Sequence, residues 1–377
     1  MPAAVTIEPK MLTWAITRAG RDVESFIAEE PRVQHWLDGS KQPTLRQLEE
    51  FSKKVHVPFG YLFLDSPPKE SLLIPFFRSE TGRVKNVHIN VYDTILLMQN
   101  RQTWLKEYLA ENDFPNLPFV GRFRSNNNIE DVAADIRQVL GLTGEWASAM
   151  PNWEKALSHL AEKIEEQGIV IVFNGVVENN NYRKIPVSDC RGFVMVDPLA
   201  PFMFINNADA KAAQMFTIAH ELAHIWIGQS AGFDFRNMQA APDPIEQFCD
   251  KVAAELLVPE SHFTRVWQQT PDISKCSRHF KVSEIVIARR ALDTGKLTRD
   301  EFFDFYRNYM ARWQSSKGNR PSGGDFYVNT RKRLSMPFAA HVNNALKSGQ
   351  LLHRDAYKLT GLKGDTFQTF FENQFVR

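Results

Sequence analysis

The sequence predicts an α+β protein that is mostly helical: an N-terminal helix-turn-helix bundle, a central region with a small β-sheet and one buried helix, and a helical C-terminal region. Three observations predict it. Apolar residues at helical spacing recur along most of the 377 residues. One stretch, 169–206, carries short β-branched and aromatic runs separated by Asn, Gly and Pro clusters. Directly after it comes FTIAHELAHIWIGQ (216–229), helical in period and apolar enough to be buried.

Composition narrows the class. With 43% hydrophobic and 24% charged residues the chain has material for packed cores, and its length suits two or three domains. No apolar run approaches the roughly 18–20 residues of a membrane span. MPAAVTIEPKM has no basic start followed by an apolar segment, so no secretory signal is read. Three cysteines, Cys190, Cys249 and Cys276, make neither a disulfide framework nor a zinc ribbon. The expectation is a cytoplasmic protein with no membrane partner. The net charge of +1 hides an asymmetry: residues 260–377 hold 20 Lys and Arg against 11 Asp and Glu. A basic C-terminal third points to an acidic partner, nucleic acid or protein, or is a solvated helical surface.

Residues 9–64 read as short helices in quick succession. PKMLTWAITRAG places Leu12, Ala15, Ile16 and Ala19 on one face and stops at Gly20. DVESFIAE and PRVQHWLDG follow, then TLRQLEEFSKKV, which opens on Thr44 and has Leu45, Leu48, Phe51 and Val55 as its stripe. PFGYLFL completes a bundle with a helix-turn-helix at its centre. DSPPKESLLIPFFR (65–78) reads as an extended linker. Helices are expected at 90–112, 129–140 and 153–167, the last ending at Gly168, with a polar loop at RSNNNIE. IVIVF (169–173), GFVMV (192–196) and FMFIN (202–206) are strands, the last an edge strand able to hold an extended peptide by backbone pairing. AAPDPIEQFCDKVAAELLVP gives a second helix after the buried one. A Gly/Ser/Pro-rich break at 315–324 interrupts the helical remainder.

The buried helix contains His-Glu-x-x-His. Residues i and i+4 lie one turn apart on one face, so His220 and His224 converge on a single point. Glu221 projects beside them, placed to serve as a general base. Ala219 and Ala223 leave room beside the rings. The competing reading is a buried helix whose histidines bond nearby carbonyls. A metal site needs a third protein ligand, and the next helix offers Glu246 or Glu255. Nine residues separate them, about 900° of rotation, so only one faces the histidines. Glu246 shares its face with Asp250, a carboxylate placed to hold the second nitrogen of a ligating histidine, and with Ala253, which permits close approach. Glu246 is therefore the chosen ligand. It also fits a plain helix start, with Asp243 as cap and Pro244 in the first turn.

FTIAHELAHIWIG followed by IEQFCDKVAAELLVP resembles the signature of the ImmA/IrrE family of metallopeptidases over roughly residues 130–270. The resemblance implies a zincin-like domain in which zinc is held by His220, His224 and Glu246, Glu221 is catalytic, and Asp250 stands where that family has Asn or Asp. The N-terminal residues resemble the lambda-repressor-like helix-turn-helix domain often fused to this peptidase, LLIPFFR resembles the link between the two, and HFKVSEIVIARRALDTGKLT resembles the helical extension that follows. The implied domains are 1–68 (helix-turn-helix), 69–128 (linker and helical connector), 129–270 (metallopeptidase) and 271–377 (helical C-terminal region). In that extension the Arg289-Arg290 pair reads as facing an acidic partner or as a solvated face.

The expected function is a zinc-dependent endopeptidase acting on a protein substrate, a repressor or other regulator. The alternative is a DNA-binding regulator or antitoxin-like protein with a structural or unused metal site. Arg32, Gln34 and His35 are the residues placed to touch bases. Residues 1–66 carry 8 basic and 9 acidic residues, which counts against phosphate-driven DNA affinity and favours a docking or structural module.

Overall fold

The computed structural model describes residues 5–68, 89–233, 244–315 and 326–375. The chain divides into two compact units, Met1–Ile95 and Leu96–Arg377. Most of the expected linker, most of the 315–324 break and the Asp243 cap lie outside the described residues.

The first unit holds α1 (Pro9–Arg18), α2 (Val23–Glu29), α3 (Arg32–Leu37), α4 (Leu45–Lys54) and a 3-10 turn, Phe59–Phe63. Asp22 caps α2 by accepting the Ser25 N–H. Thr44 caps α4, and the reciprocal half of its capping box is the Gln47 side chain. Leu12, Ile16, Phe26, Trp36, Leu48 and Phe51 close the core, with the Phe51 ring edge-on to both Phe26 and Trp36. The segments expected to form the helix-turn-helix are α2 and α3, which are joined through Glu30 and Pro31. The helix α5 (Ile89–Glu111) follows.

The second unit continues with α6 (Ile129–Val139) and α7 (Trp153–Glu166). Six strands come next: β1 (Val170–Asn174), β2 (Val176–Val177), β3 (Asn180–Lys184), β4 (Gly192–Met195), β5 (Phe202–Asn206) and, after the helix α8 (Lys211–Ile227), β6 (Ala231–Phe233). Then come α9 (Pro244–Leu257), α10 (Glu260–Gln269), α11 (Ile273–Phe280), α12 (Glu284–Asp293), α13 (Arg299–Ser315), α14 (Phe326–Leu334), α15 (Met336–Lys347), α16 (His353–Thr360) and α17 (Gly364–Phe375). Among the described residues no helix is long and apolar enough to cross a membrane. The architecture is mostly helical with a small sheet in the middle, as the sequence predicts.

The main sheet has the order β1-β5-β4-β6, with β1 parallel to β5 and the other pairings antiparallel. This corrects one expectation. Residues 202–206 are not an edge strand: β5 bonds β1 on one side and β4 on the other. All five of its residues are buried, which suits an internal strand. The hairpin β2–β3 was not anticipated, because NNYRK is polar and nearly all exposed, with no apolar alternation to mark it.

The helix α8 is packed on every side by β4, β5, α6, α7 and α9. Gly192 lets β4 come this close: a Cβ there would sit 2.6 Å from Thr217 Cγ2 and 2.9 Å from the Phe204 carbonyl oxygen. The helix stops at Gly228, whose φ of 75° is the left-handed conformation that ends helices. Its last carbonyls are not left bare. Gln229 N–H bonds His224 O at 3.0 Å, and the 117–124 loop adds Gly121 N–H to Ile225 O and Phe123 N–H to Trp226 O, each 2.9 Å. Trp226 Nε1–H donates to Asp135 on α6 at 2.7 Å, and Arg122 bonds the other oxygen of that carboxylate at 2.6 Å. The same apolar core continues through Cys276, Phe280, Val282, Ile287 and Ala291.

Arg290 is correspondingly not a surface residue. It is buried against the carboxylate of Glu255, while Arg289 is exposed and pairs with Asp293. Glu255 also accepts the Glu260 N–H, which caps the start of α10. Removing one partner of a buried pair strands the other charge. Glu255→Ala is therefore expected to cost about 3–5 kcal/mol of stability, read as a lowered urea midpoint. An unchanged midpoint would mean that Arg290 finds water or another acceptor.

Candidate metal centre

Four side chains from two helices meet within the core. His220 and His224, on the same face of α8, place their Nε2 atoms 3.1 Å apart. Glu246, in the first turn of α9, puts Oε2 3.1 Å from His220 Nε2 and Oε1 3.4 Å from His224 Nε2. Asp250, one turn further along α9, has Oδ1 3.0 Å from His220 Nδ1. A carboxylate only accepts, so Nδ1–H of His220 donates to Asp250 and, in the ion-free ring, Nε2–H donates to Glu246. The two rings are about 1% exposed, whereas the Glu246 and Asp250 side chains are 25% and 29% exposed, so solvent reaches the group from the α9 side.

Electrostatics follow from this burial. For His220, burial opposes the charged ring, but hydrogen bonds to Asp250 and Glu246 outweigh it and push its pKa up to about 9. Glu246 is also penalised by burial, and the hydrogen bonds from His220 and His224 bring it down to about 2. His224 is lowered, first by burial; the Glu246 hydrogen bond opposes this and the charge on His220 adds to it. Without a metal ion the group is a charged His220 held between two carboxylates, beside a neutral His224.

Glu221 stands apart. It is fully buried, and both of its carboxylate oxygens lack a hydrogen-bond partner among the described residues. Burial raises its pKa well above the usual carboxylate range, against the nearby charge of His220 and with that of Glu246. His224 Nδ1 is likewise buried without a partner. An unpaired buried carboxyl costs free energy and persists where another function requires it.

The donor set fits a divalent cation of zinc type. One ligand atom from each of His220, His224 and Glu246 lies within 4.8 Å of the others. Four ligands at about 2.0–2.1 Å in a tetrahedron are separated by about 3.3–3.4 Å. The two Nε2 atoms, 3.1 Å apart, come close to that, and each has a different Glu246 oxygen beside it, Oε2 at 3.1 Å from His220 and Oε1 at 3.4 Å from His224. Glu255 is remote from this group in role, since its carboxylate is spent on Arg290 and Glu260. In the first unit, Gln34 and His35 are exposed, and His35 Nδ1 lies 3.1 Å from Ser40 Oγ. Arg32 is drawn into ion pairs with Glu30 and Glu50, at 3.2 and 3.4 Å, and lies over the Trp36 ring. The support of α8 by Asp135 through Trp226 was missed, because 91 residues separate the two and no local pattern links them.

Residues 164–292 match the family model of the IrrE N-terminal-like domain, peptidase M78. Residues 334–373 match a family described as a domain of unknown function (DUF8813). No curated protein matches the chain. The peptidase-family match spans all six strands and α8 to α12, so His220, Glu221, His224, Glu246 and Asp250 all lie inside it.

A cation in this group competes with the proton on His220. The folded, metal-free pKa of about 9 means that below that pH the ion must displace a proton, and above it none. Apparent zinc affinity is expected to rise roughly tenfold per pH unit between about pH 6 and 8, with about one proton released per ion from this ring. Calorimetry in buffers of different ionisation enthalpy measures both. A pH-independent affinity over that range would contradict the assignment.

Proposed function

We propose that the chain is a zinc-dependent endopeptidase that hydrolyses a peptide bond in a regulatory protein such as a repressor. The observation that carries this reading is the pairing of a three-donor group, His220, His224 and Glu246, with a buried carboxyl, Glu221, that has no hydrogen-bond partner among the described residues. The match of residues 164–292 to a peptidase family supports it.

When bound, the ion supplies Lewis acidity, polarising a scissile carbonyl and acidifying water. The protein's residues do the rest. Asp250 holds the Nδ1–H of His220, which fixes the ring's orientation and leaves Nε2 free to ligate. Glu221 takes the proton of the attacking water at a carboxylate oxygen and delivers it to the leaving amine nitrogen. Burial raises its pKa, which suits the proton-donating half of this task, and a cation held beside it would favour the ionised form that the accepting half needs. The apolar surroundings of α8 strengthen each of these interactions. An extended substrate adds to a sheet edge. With β5 internal, the edge strand closest along the chain to the centre is β6, joined to α8 by three residues.

The helix-turn-helix unit is assigned a docking or structural role. Arg32, the cation best placed at the start of α3, is neutralised by Glu30 and Glu50. Full-length protein is expected to show no nanomolar, sequence-selective DNA binding at physiological salt in an anisotropy titration. Such binding would promote the regulator reading.

Glu221→Gln keeps the side chain's size and removes the base. Zinc content and fold should persist while cleavage of a physiological partner falls by about 10²–10⁴-fold. Glu246→Ala should lose zinc, and Glu255→Ala should keep it. Full biological output from Glu221→Gln would show that the output does not depend on proteolysis.

A further inference from the structure

A cavity of about 250 Å³ lies between α5 and α16. Leu97, Arg101 and Trp104 follow one another at four and three residues, so one face of α5 forms its first wall. Leu359 of α16 lies opposite, and Asn100, Asp355 and Lys358 complete the lining. Of the charged residues here only Arg101 is buried, about 4% exposed. Its guanidinium is held in place without being neutralised. Nε–H donates to the Leu359 carbonyl at 2.7 Å and Nη1–H to the Arg333 carbonyl at 3.0 Å, in the last turns of α16 and α14. The group lies over the Phe338 ring, 5.7 Å from its centroid. Among the described residues no carboxylate pairs with it. Burial lowers its pKa to about 10, and the Glu178 charge opposes this from beyond ion-pairing distance. Nη2 has no hydrogen-bond partner among the described residues and is not sealed from solvent. Because Arg101 lines the cavity, that N–H pair is open to it.

A buried cation surrounded by carbonyl dipoles and a ring is costly, and an anion in the cavity offsets the cost. We propose that this cavity binds a small organic carboxylate, its oxygens on Arg101 and its aliphatic or aromatic body against Leu97, Trp104 and Leu359. The open N–H groups of one guanidinium suit a planar carboxylate. A phosphate would bring a second charge and further oxygens that the three apolar side chains cannot bond. Lys358 adds a cation at the exposed rim. Asp355 opposes an anion, but it is drawn onto Lys358 at 3.3 Å and Arg354 at 3.5 Å, so the cations around it outnumber it. The cavity lies outside the residues matched to the peptidase family, and α16 belongs to the 334–373 match, to which no function is attached. A bound carboxylate ties α5 to α16.

Calorimetry and ligand-observed NMR on full-length protein test this with benzoate and butyrate, and with benzamide as the uncharged counterpart of benzoate. At least one carboxylate is expected to bind in the millimolar range or tighter, with benzamide about tenfold weaker than benzoate or worse. Arg101→Gln should abolish carboxylate binding. Asn100→Trp, at an exposed position on the cavity lining, should block it sterically. Circular dichroism reports whether Arg101→Gln folds; if it does not, Asn100→Trp decides. The proposal is overturned if neither carboxylate binds, if benzamide binds as well as benzoate, or if inorganic phosphate binds more tightly than both carboxylates. Carboxylate binding that survives in folded Arg101→Gln, or in Asn100→Trp, overturns it too. None of these outcomes bears on the centre on α8 and α9, so the two assignments fail separately.

Discussion

Everything in the second unit depends on how α9 meets α8. A helix packed on all sides cannot carry two imidazoles and a carboxyl at no cost, because burial penalises each charge and each unpaired polar atom. Glu246 and Asp250 offset that cost. They are four residues apart on one face of α9, and they bracket His220 at Nε2 and Nδ1. Small residues make the approach feasible: Ala219 and Ala223 on α8 and Ala253 on α9 are fully buried, so the two backbones come together without a bulky layer between them.

The surrounding structure holds that contact in register. On one side, Gly192 brings β4 against Thr217. At the far end, the 117–124 loop and Asp135 fasten the last turn of α8 through its carbonyls and through Trp226. Beyond α9, the buried Glu255–Arg290 pair anchors the helix to α12 from its opposite face. Thus α9 has two acidic faces with separate tasks. One points carboxylates at the histidines, and the other is consumed in packing. Glu221 is the exception to this economy, since nothing in the described structure satisfies it. A carboxyl in that condition is destabilising to the fold and is therefore best understood through chemistry.

Much of this was legible in the sequence, for identifiable reasons. The i, i+4 spacing of His220 and His224 and the shared face of Glu246 and Asp250 are local helical geometry, which residue order determines. The strand at 202–206 was legible as a strand because every residue in it is apolar or packs inside. Its place within the sheet was not, because the parallel pairing of β5 with β1 brings together segments more than thirty residues apart, and no local pattern encodes it. Arg289-Arg290 misled for the same reason. Two adjacent arginines look alike in sequence, and only the position of Glu255, 35 residues earlier, sends one of them inward.

We propose that His220, His224 and Glu246 together hold one metal ion. Zinc K-edge X-ray absorption on full-length protein loaded with one equivalent of zinc tests it most directly. The expected result is a shell of nitrogen and oxygen at about 2.0–2.1 Å, outer scattering from two imidazoles, no sulfur, and a changed spectrum in Glu246→Ala. A sulfur shell at about 2.3 Å, which would bring in Cys249 from the buried face of α9, or a spectrum indifferent to Glu246→Ala, would contradict it.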